Sequence, residues 1–403
     1  MGLQGLQFNV LLKIVCGLSK SAYICAYKIT NRELMNTRFM GTGNYGQIGN
    51  CVSEKAKLQG LVWEICGESF KEPVLVSEAL ERSKANYAIA KCPMVALTPD
   101  LCDKINKGDV TINDMKQNSF ENRLATYRTD TDVPLGIVSK SYGIVQNKDA
   151  FGFIDMLCSG ELADRDHSPV ITNAGVLGYG ERVFITAKFP RSIVLDNKGD
   201  DRVDMYIVFT NSHDGSGAVT GLITPIRVWC NNTLALAMHN NSGKITYRHT
   251  ANVMKRLDLL NRENREFAYK SLNLFSVYEK SLKDNFEHLK NIKLADDDLK
   301  RILAEVYLTE KEYEVYKVTN EIKSPGISND SRNIISRVRD CVVSGVGQNK
   351  EDNGTALALI NGITTYYQNS RDYRSDMSKF KSLTEGEAKL KTQKAFELVI
   401  QLK

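Results

Sequence analysis

Seven consecutive residues, Asn211-Ser212-His213-Asp214-Gly215-Ser216-Gly217, form the densest polar cluster in the chain, between two apolar runs. His213 and Asp214 could work as an acid/base pair, or bind a divalent metal together with His249. Neighbours on a strand point to opposite faces, so this pair would have to act from the turn itself. No paired carboxylates at metal-site spacing accompany them. The glycines open a different chemistry. Gly215 and Gly217 would let a phosphate come close to backbone N–H groups, with Ser212 and Ser216 beside it. The Gly-Lys-Ser/Thr ending of a P-loop is missing. The plainest role is a connecting turn, in which Asn, Asp and Gly accept positive φ and short polar side chains satisfy local donors.

Two further stretches carry usable groups. In Arg227-Val-Trp-Cys-Asn-Asn-Thr233, Arg227 could pair with a phosphate and Trp229 could stack on a base. Equally, Trp229 could be core and Arg227 could bond an acid such as Asp214. Cys230 has apolar flanks and no activating partner nearby, which fits a structural thiol. The alternating stretch Lys244–Thr250 ends in Arg248-His249-Thr250. There Arg248 and His249 point to opposite faces, Tyr247 is a second candidate for stacking, and Thr250 is a natural helix cap.

The elements that must position these groups can be read from periodicity. Val76–Ala90 has helical character and Tyr87–Leu97 a strand-like core. Lys104–Glu121 reads as a surface loop or short helix. Leu135–Ser139 is a strand, and Asp149–Leu157 a helix with Phe151, Ile154 and Leu157 on one face. Val170–Leu177 and Arg182–Phe189 flank Gly178-Tyr179-Gly180, a hairpin pattern. Asp204–Thr210 and Val219–Trp229 are further strands, with Pro225 demoting part of the second to an edge or bulge. Asn231–Asn240 reads as a helix entered through Asn231 or Asn232.

After Thr250 the texture turns helical. Ala251–Leu289 reads as one long amphipathic helix or two. Its cations Lys255, Arg262 and Arg265 share a stripe interleaved with acids, as on a solvated face. Asp296–Tyr307 and Thr309–Val318 follow, the second with Thr309 and Glu312 as a capping box. Lys323–Asn333, with Pro325 and Gly326, is the best linker. Thr355–Tyr367 and Glu385–Leu402 close the chain as helices. The expected class is α+β: an antiparallel strand meander running into a helix, with a largely helical C-terminal half. The expected divisions are a core over 35–250, long helices over 251–322, a linker or irregular segment over 323–353, and C-terminal helices over 354–403. Residues 1–34 read as an upstream extension or non-native addition, because Met35 opens a natural-looking start.

Composition narrows the classes. The 403 residues carry 53 Lys and Arg against 48 Asp and Glu, a net charge of +5, which permits a nucleic-acid partner without requiring one. The near balance also suits a protein partner. Nine cysteines at wide spacings, none in CxxC, argue against a disulfide framework or a zinc ribbon and suggest a cytoplasmic setting. No run reaches membrane-spanning length. No cofactor is expected.

TNSHDGSGAVTGLITPIRVWCNNTLALAM followed by ITYRHT resembles a phage- and plasmid-borne protein family of unknown function. In that family an Asn-Ser-His-Asp-Gly turn, an Arg-Val-Xaa-Cys-Xaa-Asn-Thr-Leu junction and an Arg-His-Thr ending recur in order. They stand here at Asn211–Gly215, Arg227–Leu234 and Arg248–Thr250. Leu135–Asn147, Gly178–Phe184, Asn353–Tyr366 and Lys389–Val399 also look like the family. Its Trp-His-Gly-Leu-Gly-like segment is replaced by Met40-Gly-Thr-Gly-Asn-Tyr-Gly46. The resemblance implies DNA transactions in a bacterial host. By analogy of topology the core is similar to single-strand annealing proteins, which assemble into rings around single-stranded DNA. The resulting expectation is a homo-oligomeric binder of single-stranded DNA. Arg227 and Arg248 would sit on phosphates, the Ser212–Gly217 turn would donate N–H groups, and Trp229 or Tyr247 would stack. Rival expectations are a host or phage protein partner, and a metal-dependent nucleic-acid enzyme using His213, Asp214 and His249.

Overall fold

The computed structural model describes residues 24–26, 61–158, 168–195, 202–227, 232–233, 244–257 and 282–402, with 347, 349 and 385 left out. Two sheets organise them. The smaller holds β1 (Ile24–Ala26), β3 (Ile89–Ala96), β4 (Ser119–Arg128) and β5 (Pro134–Ser139), side by side in that order. The larger runs β10 (Asn232–Thr233), β9 (Val219–Arg227), β8 (Arg202–Ser212), β7 (Arg182–Val194), β6 (Val170–Leu177) and β2 (Glu68–Ser69), with β11 (Lys244–Tyr247) also paired to β9. Strands β6 to β9 are consecutive antiparallel neighbours, the expected meander.

The larger sheet is covered on both faces. Phe184, Tyr206, Val208 and Ile226 join one core with C-terminal residues such as Leu303, Leu357, Ile360 and Phe380. Val183, Met205, Ile207 and Phe209 point the other way, into a core shared with Phe151 and Ile154. Side chains alternate between the faces of a strand, so two buried faces need a continuous apolar run. That is why DMYIVFT lacks the polar alternation of a half-exposed strand. Phe184 fits a narrow slot: a Cβ on Gly175 or Gly67 would come within 2.7 or 2.8 Å of its ring, and the Phe380 ring centre is 4.9 Å away.

Several elements match the sequence reading. The helix Asp296–Tyr307 has the expected bounds, and the Glu310–Thr319 helix opens on the Thr309/Glu312 capping box. Gly178 and Gly180 both take positive φ in the hairpin turn. Among the described residues Ile223, Thr224 and Pro225 have no neighbour on the outer side of β9, between its pairings with β11 and β10. Proline, which cannot donate, is tolerated there.

Two expectations are corrected. Asn232 and Thr233 pair with Arg227 and Ile226 as a strand rather than capping a helix; residues 234–240 lie outside the described residues. The segment 323–353 is not irregular throughout: within it Asn329–Ser344 forms a helix capped by Ser328 and buries Ile335, Val338, Cys341 and Val342. Its apolar stripe is narrow and its first turn polar, so the nearby Pro325 and Gly326 dominate the sequence signal. Of the long helix expected over 251–289, Val253–Leu257 and residues 282–291 are helical, while Arg262 and Arg265 lie outside the described residues. No helix among the described residues is long and apolar enough to cross a membrane.

Candidate functional site

The Asn211–Gly217 cluster begins at the end of β8, where the two sheets meet. Asn211, Ser212 and His213 are fully buried, and Gly215 and Ser216 are exposed. His213 is tied down at three points. Its N–H donates to the Glu181 carbonyl at 2.7 Å, and its carbonyl accepts from the Thr126 hydroxyl at 2.6 Å. Its ring Nε2 lies 2.8 Å from Asn147 Oδ1. Asn147 Nδ2 donates to the Ala85 carbonyl, which leaves Oδ1 as the acceptor and makes Nε2 the donor of a neutral imidazole. Asn211 Nδ2 donates to the same Oδ1 at 3.1 Å and to the Val145 carbonyl at 3.0 Å. Burial, then the nearby His249, push the His213 imidazole down to about 3 against the pull of Asp214.

Asp214 faces the other way and builds the turn. Its Oδ1 accepts from Ser212 Oγ at 2.7 Å, Ser216 N at 2.9 Å and Ser216 Oγ at 2.8 Å. Burial raises the tendency of this carboxyl to hold a proton. The Ser212 and Ser216 hydrogen bonds and the Lys381 charge outweigh it and hold the group below the ordinary value. Lys381, on the C-terminal helix Asp376–Thr384, donates to Ser216 Oγ at 3.2 Å. Gly215 has φ +78°, which suits glycine, and a Cβ on Gly217 would meet the buried Arg182 guanidinium at 2.8 Å. Gly136 of β5 is pressed against the Asp214 backbone.

This geometry revises the phosphate-holding reading of Ser212, Gly215, Ser216 and Gly217. A carboxylate already takes the Ser216 N–H and both serine hydroxyls, so an anion there would meet negative charge instead of free donors. Ser212 is also sealed inside, its carbonyl accepting from Tyr142 Oη at 2.9 Å. The metal alternative is revised too. Among the described residues no group of three or more His, Cys, Asp or Glu side chains is placed to hold a metal ion. His213 points inward to Asn147 and Asp214 outward to the serines, as residues of adjacent number at a strand end must.

His249 lies on the same interior network. Its ring stacks on Tyr142, centres 4.7 Å apart and 13° from parallel, and Nδ1 donates to the Gly143 carbonyl at 3.0 Å. Burial lowers its affinity for a proton, while the Gly143 carbonyl and Asp214 oppose that. The expected alternation holds at the end of β11 and just past it: Tyr247 is half-buried against the core, Arg248 exposed and His249 buried. Packing of the Tyr247 ring there counts against a stacking role. Arg227 pairs through its backbone with Val203 and Asn232, but its side chain and the whole of Trp229 lie outside the described residues. Asn147, Tyr142, Thr126 and Lys381 were not foreseen. Each meets the cluster across 64 or more residues, and no local spacing signals such contacts.

No curated protein and no solved structure matches this chain. A family model described as a domain of unknown function, DUF932, matches residues 134–385, from the first residue of β5 to just beyond the helix that carries Lys381. The match takes in the polar turn, Arg248 and the C-terminal helix that closes on the turn, and it covers more than half of the chain: this protein belongs to the DUF932 family.

Proposed function

We propose that this chain is a phage- or plasmid-type protein that holds single-stranded DNA by its phosphate backbone, as a homo-oligomer in the bacterial cytoplasm. The observation that carries the reading is the setting of Arg248. Its neighbour His249 is buried, stacked and hydrogen-bonded, which fixes the backbone that presents the exposed guanidinium. Among the described residues Arg248 has no ion-pair partner, whereas the exposed Arg339 is tied to Asp296 and the half-buried Lys104 and Lys300 are tied to carboxylates. A preorganised, unneutralised cation suits a phosphate. The ordered sequence motifs of a mobile-element family support the same reading, as does Arg227 at the strand junction.

The test is a titration of a fluorescent oligothymidylate followed by anisotropy. Binding is expected to weaken steeply between about 50 and 200 mM salt as counterion release loses its drive. A flat titration at low salt would overturn the reading. A protein partner is the second reading, favoured by Val318, Val343 and Leu390, which are 88%, 63% and 63% exposed on the helical half. Stoichiometric capture of one host protein without any shift of DNA would select it.

A further inference from the structure

Arg248 is not isolated. The segment that follows it is clasped to the turn that leaves β5. Gly143 N donates to the His249 carbonyl at 3.0 Å, His249 Nδ1 donates back to the Gly143 carbonyl at 3.0 Å, and the Tyr142 and His249 rings stack. Gly143 also passes so close to the Thr250 backbone that a Cβ would collide with it. Lys91 Nζ donates to the Tyr142 carbonyl at 2.7 Å. Two segments 106 residues apart are thereby locked as one unit.

On the outside of this clasp the turn carries Ser139, Lys140 and Ser141, all exposed. The turn is closed by Tyr142 N donating to the Ser139 carbonyl at 3.0 Å. Ser139 Oγ and Ser141 Oγ stand 3.1 Å apart with Lys140 between them in sequence. Among the described residues Lys140 has no carboxylate partner. Two adjacent hydroxyls and an ammonium, on a turn fixed to the strand end that bears a free guanidinium, match the donors that proteins turn toward phosphodiester oxygens. Contacts made only to phosphodiester oxygens, which every nucleotide carries, would be indifferent to sequence.

We infer that the Ser139-Lys140-Ser141 turn and Arg248 form one phosphodiester-binding clamp for single-stranded DNA. This rests on the reading of the protein as a single-strand binder and assigns the site. Tyr142 is a positioning residue: its ring carries His249 and its hydroxyl anchors to Ser212.

The test compares full-length protein with Lys140→Ala, Arg248→Ala, Lys140→Arg, Tyr142→Phe and the distant control Lys107→Ala, using oligothymidylate and a mixed-sequence oligonucleotide across a salt series. Each alanine variant in the clamp should bind roughly three- to tenfold more weakly on both oligonucleotides. Each should also lower the slope of log K against log salt by about 0.7, one single-strand phosphate contact. Lys140→Arg should keep the slope and Lys107→Ala should change nothing. Tyr142→Phe should weaken binding with the slope retained, since no charge is lost. Thermal melts of every variant separate loss of fold from loss of contact. If the parent binds and the clamp variants match Lys107→Ala, the clamp is overturned while the single-strand reading stands. If the parent binds neither oligonucleotide, or prefers vesicles of anionic phosphatidylserine, both fail.

Discussion

His213 Nε2 and Asn147 Oδ1 are 2.8 Å apart across 66 residues of sequence, both groups shut off from solvent. This bond joins the polar end of β8 to the first residue of the helix Asn147–Cys158. Asn147 serves the Ala85 carbonyl, Asn211 and His213 at once. Asn147→Leu keeps the approximate volume and strands all three partners. Unpaired buried groups cost about 1–3 kcal/mol each, so this variant should lose on the order of 3 kcal/mol in urea unfolding. A loss below about 1 kcal/mol would mean that water replaces the amide and that the network is not structural.

Acid should unfold the protein through the same network. The folded His213 protonates only near 3, against an ordinary value of 6.5. The unfolded chain therefore takes up this proton first as pH falls. The stability is complete above about 6.5, declines below it and is exhausted near 3; His249, shifted in the same direction, adds to the decline. Unfolding free energy measured from pH 8 to pH 4 should fall with decreasing pH, and the fall should be shallower in His213→Gln. An identical slope in the two proteins would show that His213 titrates freely in the native state.

The sequence is informative where structure is local and silent where it is not. The hairpin around Gly178–Gly180 and the Thr309/Glu312 box each rest on residues within a few positions of one another, and both form as read. The alternation at Tyr247, Arg248 and His249 likewise separates the exposed residue from the buried one. What the spacing of Ser212, His213 and Asp214 could not reveal is which side of each residue would be covered. Thr126 and Tyr142 arrive from the smaller sheet and the turn after it, and Lys381 from the far end of the chain. The helix at Asn329–Ser344 escaped for a related reason. Its buried stripe is short and becomes decisive only once the facing helix Ala356–Thr365 is in place.

Phe184 measures how firmly the helical half is seated on the sheet. Its ring fills the slot beside Gly175 and Gly67 and meets Phe380. Phe184→Ala should cost about 3–5 kcal/mol, from lost burial plus the cavity left between two rigid elements. Gly175→Ala should also destabilise, because the new methyl would stand 2.7 Å from the same ring. Protease sensitivity of the C-terminal helices should rise in both. A Phe184→Ala protein that melts like the parent would show that the two halves do not depend on this contact.

Glu312 gives a second acid limb that can be told from the histidines by its window. Burial raises the pKa of this carboxyl, but the hydrogen bonds from Thr309 and Ser328 outweigh it and bring it down to about 2. Its oxygens also accept from Ser331 Oγ, so one side chain caps the start of its own helix and anchors the next. The stabilisation is present above about 4.5 and lost as pH falls towards 2. Glu312→Gln keeps the shape without the charge and should remove about 1–2 kcal/mol at neutral pH. It should also erase the part of the acid limb below pH 4.5 while leaving the histidine part above it. Loss of the upper part alone would contradict the assignment.

Asp214 and Lys381 separate two explanations of the polar turn. If the turn stands on its own hydrogen bonds, Asp214→Ala must be the costly change, since one carboxylate oxygen takes three donors from Ser212 and Ser216. About 2–3 kcal/mol is expected, as for charge-assisted bonds in a half-buried site. Lys381 is 35% exposed and 4.0 Å from the carboxylate, so Lys381→Ala should cost less than about 1 kcal/mol. The double variant should then resemble Asp214→Ala alone, because the lysine has nothing left to neutralise. Equal costs for the two single changes would instead make the contact between the C-terminal helix and the turn the main support. In that case the turn would be held from outside, through the bond of Lys381 to the Ser216 hydroxyl.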